Sequence, residues 1–254
     1  MNLDMGEHLD QARQWVQTAD SVAVLTGAGI SAESGVPTFR GDGGLWRDFR
    51  AEDLATPEAF ERDPKLVWEW YNFRRELIAK TQPNSGHKAL VALESHKAKF
   101  TLITQNVDGL HDLAGSKKIL KLHGDIWHIR CTKCMTVWVD RRPSLPEIPP
   151  HCQCGALARP GVVWFGEPLP VGVMLEAVQA VKSSQVLLIV GTSAVVYPAA
   201  ELIPLAKAEK RKIIEINPAE TPYSEMVDCS LRGPAGEILP RLVSFSIPQS
   251  LSSL

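Results

Sequence analysis

Short apolar runs rich in β-branched residues, alternating with helical patterns, constrain this chain more than any other feature. The runs cover 22–25, 100–103, 119–122, 186–190 and 212–216, and apolar residues at helical spacing fill 9–19, 85–97, 171–182 and 198–210. A strand that is apolar throughout must be covered on both faces, so the pattern predicts an α/β fold with a parallel sheet between two layers of helices. Each run ends in a polar loop: Thr26-Gly-Ala-Gly-Ile-Ser31, Thr104-Gln-Asn-Val-Asp108, His123-Gly124, Gly191-Thr-Ser193 and Asn217-Pro218. In an open α/β sheet the ligand crevice lies outside the carboxyl ends of the strands, so these loops should converge on one site.

One stretch breaks the alternation. Residues 130–160 are proline-rich, carry few helical signals, and hold four of the five cysteines within 24 positions. Cys131-x-x-Cys134 is a knuckle, and after 17 intervening residues Cys152-x-Cys154 offers a second pair. Four thiolates close a tetrahedral zinc with no position left for water, so the ion should be structural. The one-residue spacer of the second pair is tight, and His151 could replace one thiolate. Unliganded or disulfide-forming cysteines are the competing reading. Cys229, far from the cluster, should be a packed free thiol. The length of 254 residues fits one large domain with a small appendage, at roughly 150 residues per domain. Residues 35–82 are long for a connection and include an aromatic-rich helical segment, 66–78, expected to pack on the cysteine module as a small lobe. With 27 Lys plus Arg against 29 Asp plus Glu, no broad basic surface for nucleic acid or membrane is expected. No window has the roughly 20 apolar residues of a membrane span, and the acidic, polar first ten residues do not read as a leader, so a cytoplasmic protein is expected.

The loop Gly27-Ala-Gly29-Ile-Ser-Ala32 follows an apolar run, and its glycines allow a tight turn and close approach to a pyrophosphate. It could equally be only a turn. A hydride-transferring enzyme would also place an acidic residue at the end of a second strand about 20 residues further on. Here that distance falls on 46–53, where carboxylates occur with no strand before them, so hydride transfer is not supported. Gln105, Asn106, Asp108 and His111, followed by His123, place amides, a carboxylate and imidazoles at two strand ends. Such groups suit a ribose and a carboxamide, and an imidazole with a reference pKa of about 6.5 can act as general base. Spacing does not choose between His111 and His123.

Gly27-Ala-Gly-Ile-Ser31, Gly35-Val-Pro-Thr-Phe-Arg-Gly41, Thr104-Gln-Asn-Val-Asp-Gly-Leu-His111, Leu122-His-Gly124, the paired cysteines, Val162-Val-Trp-Phe-Gly-Glu167, Gly191-Thr-Ser193 and Asn217 occur in the order found in sirtuins. The resemblance covers roughly residues 19–242. It implies a large Rossmann-like lobe (1–40, 84–125 and 161–254), a small lobe (41–83) with a zinc module (126–160), and NAD-dependent removal of acyl groups from protein lysines. By resemblance, Gly27, Ala28, Gly29, Ile30, Ser31 and Glu33 line the pyrophosphate and ribose, with Phe39, Arg40 and Trp46 near the closing loop. Gln105, Asn106, Val107 and Asp108 address the nicotinamide end. Gly191, Thr192, Ser193, Asn217, Pro218, Ala219 and Ala235 hold the adenosine half. His123 matches the family's base, and His111 a position beside the nicotinamide pocket. Val163, Trp164, Phe165, Gly166 and Glu167, with Val196 and Tyr197, would pair with an extended substrate peptide. The implied products are nicotinamide, O-acyl-ADP-ribose and free lysine, with NAD and one structural zinc as cofactors; separately, a monomer is expected.

Asp63-Pro64 reads as an N-cap with proline at the first helical position. On the helix that follows, Val67, Tyr71, Arg74 and Ile78 share one face. A guanidinium on an inward face needs a partner, either one of the protein's own acids or a substrate carboxylate. Tyr71-Asn-Phe-Arg74 resembles the mark of the sirtuin subgroup that removes succinyl, malonyl and glutaryl groups, and Ala55 matches the small residue that enlarges its acyl pocket. That implies an acidic-acyl preference with acetyl also accepted. The alternatives are chiefly deacetylation, mono-ADP-ribosyl transfer, an NAD-dependent oxidoreductase, or a zinc-ribbon nucleic-acid module using Lys133, Arg141 and Arg142.

Overall fold

A computed structural model describes residues 5–37, 45–46 and 49–244. In chain order the elements are α1 (Met5–Thr18), β1 (Ser21–Thr26), α2 (Gly29–Ala32), the two-residue strands β2 (Leu45–Trp46) and β3 (Phe49–Arg50), α3 (Ala51–Leu54), α4 (Pro57–Arg62), α5 (Pro64–Ile78) and α6 (Ser85–His96). They continue as β4 (Lys99–Thr104), α7 (Leu110–Ala114), β5 (Ile119–Lys121), β6 (Gly124–Cys131), β7 (Val137–Val139), β8 (Ala158–Val162), α8 (Val171–Ser183) and β9 (Val186–Val190). The last are a 3-10 turn (Ala199–Glu201), α9 (Leu202–Ala208), β10 (Lys212–Ile216), β11 (Cys229–Leu231) and α10 (Ala235–Leu242).

Every residue of β1 and β9 is buried, which is why 22–25 within β1 and all of β9 are apolar without alternation. Val22 and Val24 of β1 pack with Leu9, Leu90 and Leu239 on one face. Ala23 and Leu25 pack with Val181 and Leu202 on the other. Among the described residues, six strands form the large sheet in the order β11-β10-β9-β1-β4-β5, and each pairing is parallel. The chain winds outward from β1 through β4 to β5, then returns beside β1 at β9 and winds the other way. The winding reverses between β1 and β9, where such a sheet opens its ligand crevice. The strands also end level: Thr26 lies opposite Thr104 and Val190, Lys121 opposite Thr104, and Ile216 opposite Val190. The predicted loops therefore leave the sheet at one height.

A second core joins α3, α4 and α5 to the antiparallel sheet β7-β6-β8 through Leu54, Phe60, Val67, Trp68, Tyr71, Ile126, Ile129, Leu145 and Trp164. Trp68 Nε1 donates to the Ala158 carbonyl at 2.9 Å, fastening α5 to β8. Helix α5 starts as the sequence predicts, with the Asp63 carboxylate accepting from Leu66 N at 2.9 Å and Pro64 at the first position. Two expectations change. The segment 198–210 opens as a 3-10 turn before α9. On α5, the fully buried guanidinium is that of Arg75, which donates to the Asp140 and Arg142 carbonyls and sits 3.5 Å from the Asp140 carboxylate. Arg74, one residue earlier, is half-buried and faces the cavity with Tyr71. Among the described residues no helix is long and apolar enough to cross a membrane.

Candidate active site

The glycine loops after β1 and β9 touch each other. Gly27 N donates to the Val190 carbonyl at 3.0 Å and Gly29 N to the Gly191 carbonyl at 2.7 Å. A Cβ on Gly27 would stand 2.7 Å from Thr192, one on Gly29 2.7 Å from Gly191, and one on Gly191, whose φ is +57°, 2.4 Å from Ile30 N. The glycines are thus required by contact between the two loops before any ligand arrives. The helix that follows, α2, has only four residues, a single turn.

Side chains from the loop after the neighbouring strand, β4, brace this cradle. Asn106 Nδ2 donates to the Gly27 carbonyl at 3.0 Å and to Ser31 Oγ at 3.2 Å. Ser31 Oγ donates to Asp108 Oδ2 at 2.8 Å, and Leu110 N donates to the other carboxylate oxygen at 2.8 Å. Burial raises the Asp108 carboxyl above its usual pKa, opposed by those two donors and by Arg74. Gln105 Nε2 reaches Thr192 Oγ1 at 3.0 Å, and Asn217 Nδ2 donates to the Thr192 carbonyl at 3.2 Å. The amides therefore tie the strand ends together across the switch point.

The two histidines separate. His123 Nδ1 lies 2.9 Å from the Gln105 carbonyl, which can only accept, so Nδ1 carries the proton and Nε2 holds the free lone pair. His123 lines the cavity. Burial lowers its pKa below the usual value, and the Gln105 carbonyl offsets part of that. His111 is 2% exposed, packs its ring 4.8 Å from that of His87, and bonds Thr26 Oγ1 at 3.1 Å. Burial, with His87 and Lys121 nearby, pushes its pKa down to about 3. It is a neutral core residue.

The cavity of about 500 Å³ runs from these loops to the small lobe. Of the predicted residues it is lined by Gly27, Ala28, Gly29, Gln105, Asn106, Val107, His123, Gly191, Thr192, Ser193, Asn217 and Ala219 at one end. Ala55, Tyr71, Arg74, Val163, Trp164, Phe165, Gly166, Glu167, Val196 and Tyr197 complete the wall. Phe165 N donates to the Ala55 carbonyl at 2.9 Å and Val163 N to the His123 carbonyl at 2.9 Å, so the 163–167 segment bridges both lobes. Trp164 Nε1 donates to the Tyr71 hydroxyl at 2.9 Å. Desolvation pushes the Tyr71 phenol up to about 12 despite Arg74 nearby. Arg74 stacks over Trp70 at 5.1 Å.

Other predicted residues do not line this cavity. Ile30 is fully buried in the core, and Ser31 and Asp108 brace the wall from behind. The Glu33 carboxylate accepts from Gly236 N at 2.6 Å, which holds the start of α10, and Ala235 is buried beside it. Pro218 is exposed next to the lining. Phe39, Arg40 and the Trp46 side chain lie outside the described residues. Three lining residues were missed: Val162, Leu169 and Glu220. Val162 and Glu220 adjoin predicted positions, and Leu169 carries no polar signal. Arg159, also missed, bonds Glu167 through both guanidinium nitrogens at 2.5 and 2.8 Å.

The four clustered cysteines fit zinc. Their Sγ atoms all lie within 4.8 Å of one another, with Cys131 to Cys154 at 3.5 Å and Cys134 to Cys152 at 3.6 Å. Zinc–sulfur bonds of about 2.3 Å in a tetrahedron place sulfurs about 3.8 Å apart. Lys133 N and Cys134 N both donate to Cys131 Sγ at 3.3 Å, and Gly155, at φ +81°, turns the chain after the one-residue spacer. His151 instead meets Glu147 at 3.1 Å and does not replace a thiolate. None of the four lines the cavity. Cys229 is 2% exposed in the main core, with its thiol 3.5 Å from the His8 carbonyl.

An α/β sheet whose switch point carries two interlocked glycine loops, with a four-thiolate lobe set apart from the cavity, defines a dinucleotide-binding protein with an accessory metal lobe. The chain belongs to the Sir2 family, which residues 27–198 match. It is 54% identical over 226 residues to an NAD-dependent protein deacylase of Aquifex aeolicus (strain VF5), covering 89% of this chain and 95% of that one. A Sir2 homolog solved as its NAD complex superposes with a TM-score of 0.87 at 48% identity, covering 92% of each chain. A Sir2 protein solved with a deacetylated p53 peptide and 3'-O-acetyl ADP-ribose gives 0.81 at 31% identity, covering 94% of this chain and 97% of that one.

Proposed function

We propose that this chain removes acyl groups from protein lysines with NAD as co-substrate, and that it prefers acyl chains ending in a carboxylate (succinyl, malonyl, glutaryl) while also accepting acetyl. Supporting the deacylase reading are the family, the interlocked glycine loops, and an imidazole whose free nitrogen belongs to a cavity-lining residue. Bound NAD supplies an activated ribose carbon and the hydroxyl that accepts the acyl group. The Gln105 carbonyl holds His123 in the tautomer whose Nε2 can take a proton from such a hydroxyl. Burial keeps that imidazole neutral at pH 7. Gln105, Asn106 and Asp108, with Gly27 to Gly29, are the groups proposed to orient the nicotinamide half, and Thr192, Ser193, Asn217 and Ala219 the adenosine half. The 163–167 segment with Val196 and Tyr197 would take the peptide, and the apolar faces of Trp164 and Phe165 would keep water from the reacting carbonyl. Four thiolates hold zinc as a staple of the small lobe.

The observation carrying the acyl preference is that Tyr71 and Arg74 line the same cavity as His123, beside the small Ala55. Burial holds the Arg74 guanidinium below its usual pKa, with Tyr71 and Asp108 offsetting part of the cost. A carboxylate entering the cavity would relieve that desolvation through charge-assisted hydrogen bonds, and an acetyl group would not. The test is nicotinamide release on matched succinyl and acetyl peptides. Arg74→Met should lower the succinyl-to-acetyl ratio of kcat/KM about 10- to 100-fold, the range set by about 1.5–3 kcal/mol for a hydrogen bond to a charged group. Equal rates on both peptides, unmoved by the substitution, would refute the preference.

A further inference from the structure

We propose that Trp164 is a positioning residue that aims the Tyr71 hydroxyl, and through it sets the choice between acidic and neutral acyl chains. This rests on the acidic-acyl reading above and adds a residue to it. An indole N–H can only donate. In the 2.9 Å bond between Trp164 Nε1 and the Tyr71 hydroxyl, the phenol oxygen therefore accepts, and its own hydrogen must point elsewhere. Tyr71 is 1% exposed and Trp164 3%, so water does not compete at that bond. Tyr71 and Arg74 share the cavity wall, and a phenol whose lone pair is engaged by the indole is left as a donor toward whatever fills the cavity.

The indole is itself fixed. The Arg159 guanidinium lies 3.3 Å from the centre of the Trp164 ring, and its fork is spent on the Glu167 carboxylate and, at 3.1 Å, the Val162 carbonyl. Trp164 N donates to the same Glu167 carboxylate at 2.8 Å, and the Phe60 ring packs 5.3 Å away. An ion pair on β8 and its following loop thus holds the indole, the indole orients a phenol on α5, and the phenol presents its hydrogen. Phenylalanine at position 164 would keep an aromatic wall but release the phenol, whose hydrogen could then turn away from the cavity.

The measurement is the succinyl-to-acetyl ratio of kcat/KM for the wild-type chain, Y71F, R74M, W164F and the Y71F/W164F pair. Absolute rates are free to fall, because Trp164 also forms part of the wall; the ratio is the readout. W164F should lower the ratio about tenfold, as Y71F does, the lower end of what the loss of one hydrogen bond to a charged group costs. In the Y71F background it should change the ratio less than about twofold, since the coupling partner is already gone. A ratio that falls in Y71F and R74M but holds in W164F overturns this inference alone. A wild-type ratio unmoved by Y71F and R74M overturns the acidic-acyl reading and this inference with it. A full additional drop in the double variant also overturns it, because Trp164 would then act by another route. If W164F does not fold, R159K takes its place: it keeps the charge, removes the fork that holds the indole, and should lower the ratio in the same direction.

Discussion

Glu215 offers the most quantitative test of how the proposed cofactor end of the cavity is held. It is 1% exposed on β10, and its carboxylate accepts from Thr221 Oγ1 at 2.6 Å, Ser224 Oγ at 2.7 Å, Ser230 Oγ at 3.0 Å and Arg232 Nη1 at 2.8 Å. Arg232 Nη1 also donates to the Ala219 carbonyl at 2.9 Å. One carboxylate therefore gathers the excursion between β10 and β11, whose Asn217, Ala219 and Glu220 line the cavity. Glu215→Gln keeps the shape and removes the charge. With the new amide facing Thr221, whose hydroxyl can turn and accept, the remaining oxygen meets Arg232 as a neutral acceptor. Hydrogen bonds to charged groups contribute about 1.5–3 kcal/mol and neutral ones about 0.5–1.5, so the change costs about 1–2 kcal/mol of loop order. If all of it appears as a smaller fraction of binding-competent loop, the KM for NAD rises about 5- to 30-fold. At saturating NAD, kcat and the peptide KM should hold. The assay is steady-state nicotinamide release with each substrate varied in turn, with thermal unfolding as a check on folding. An unchanged KM for NAD in a folded variant, or equal losses in every constant, would refute the reasoning.

Two further predictions concern the base and the metal. Only neutral His123 can take a proton, and burial lowers its pKa, so activity should be lost as pH falls through a value below the usual 6.5 or so. A pH profile of kcat/KM with its acid limb above 7 would contradict this, and His123→Tyr should silence succinyl and acetyl peptides alike. Stripping zinc with a chelator should abolish deacylation and shift the fluorescence of Trp68, Trp127 and Trp164, which pack in the small-lobe core, while ADP-ribose binding at the glycine loops persists. One zinc per chain before treatment and none after, with activity intact, would show that the lobe does not need its staple.

Much of the architecture is legible in local pattern. Strands buried on both faces read as nearly continuous apolar runs, so β1, β4, β9 and β10 announce themselves despite the buried Glu215 of β10, and Asp63-Pro64 announces α5. The cysteine spacing names a metal site because few other uses place four thiolates so close in sequence. Neighbouring positions on one helix are less transparent. The 3.6-residue period puts Arg74 and Arg75 on adjoining faces, and which of them meets Asp140 depends on a loop 65 residues away. Glu33, which reads as a cofactor residue, also accepts from Gly236 N, 203 positions along the chain, a contact no spacing announces.

What the sequence determined by itself was therefore the α/β class, the polar strand ends, the zinc ligands and the candidate residues for the site. Tertiary structure alone decided how those residues are used. Residues distant in the chain become hydrogen-bond partners only once the sheet register and lobe packing are set, and a side chain's role follows from its partners. His111 is a core residue because Thr26 and His87 enclose it, and His123 is the candidate base because the Gln105 carbonyl fixes its tautomer. Trp164 meets Tyr71 across 93 residues of sequence, and that bond exists only where β8 packs on α5.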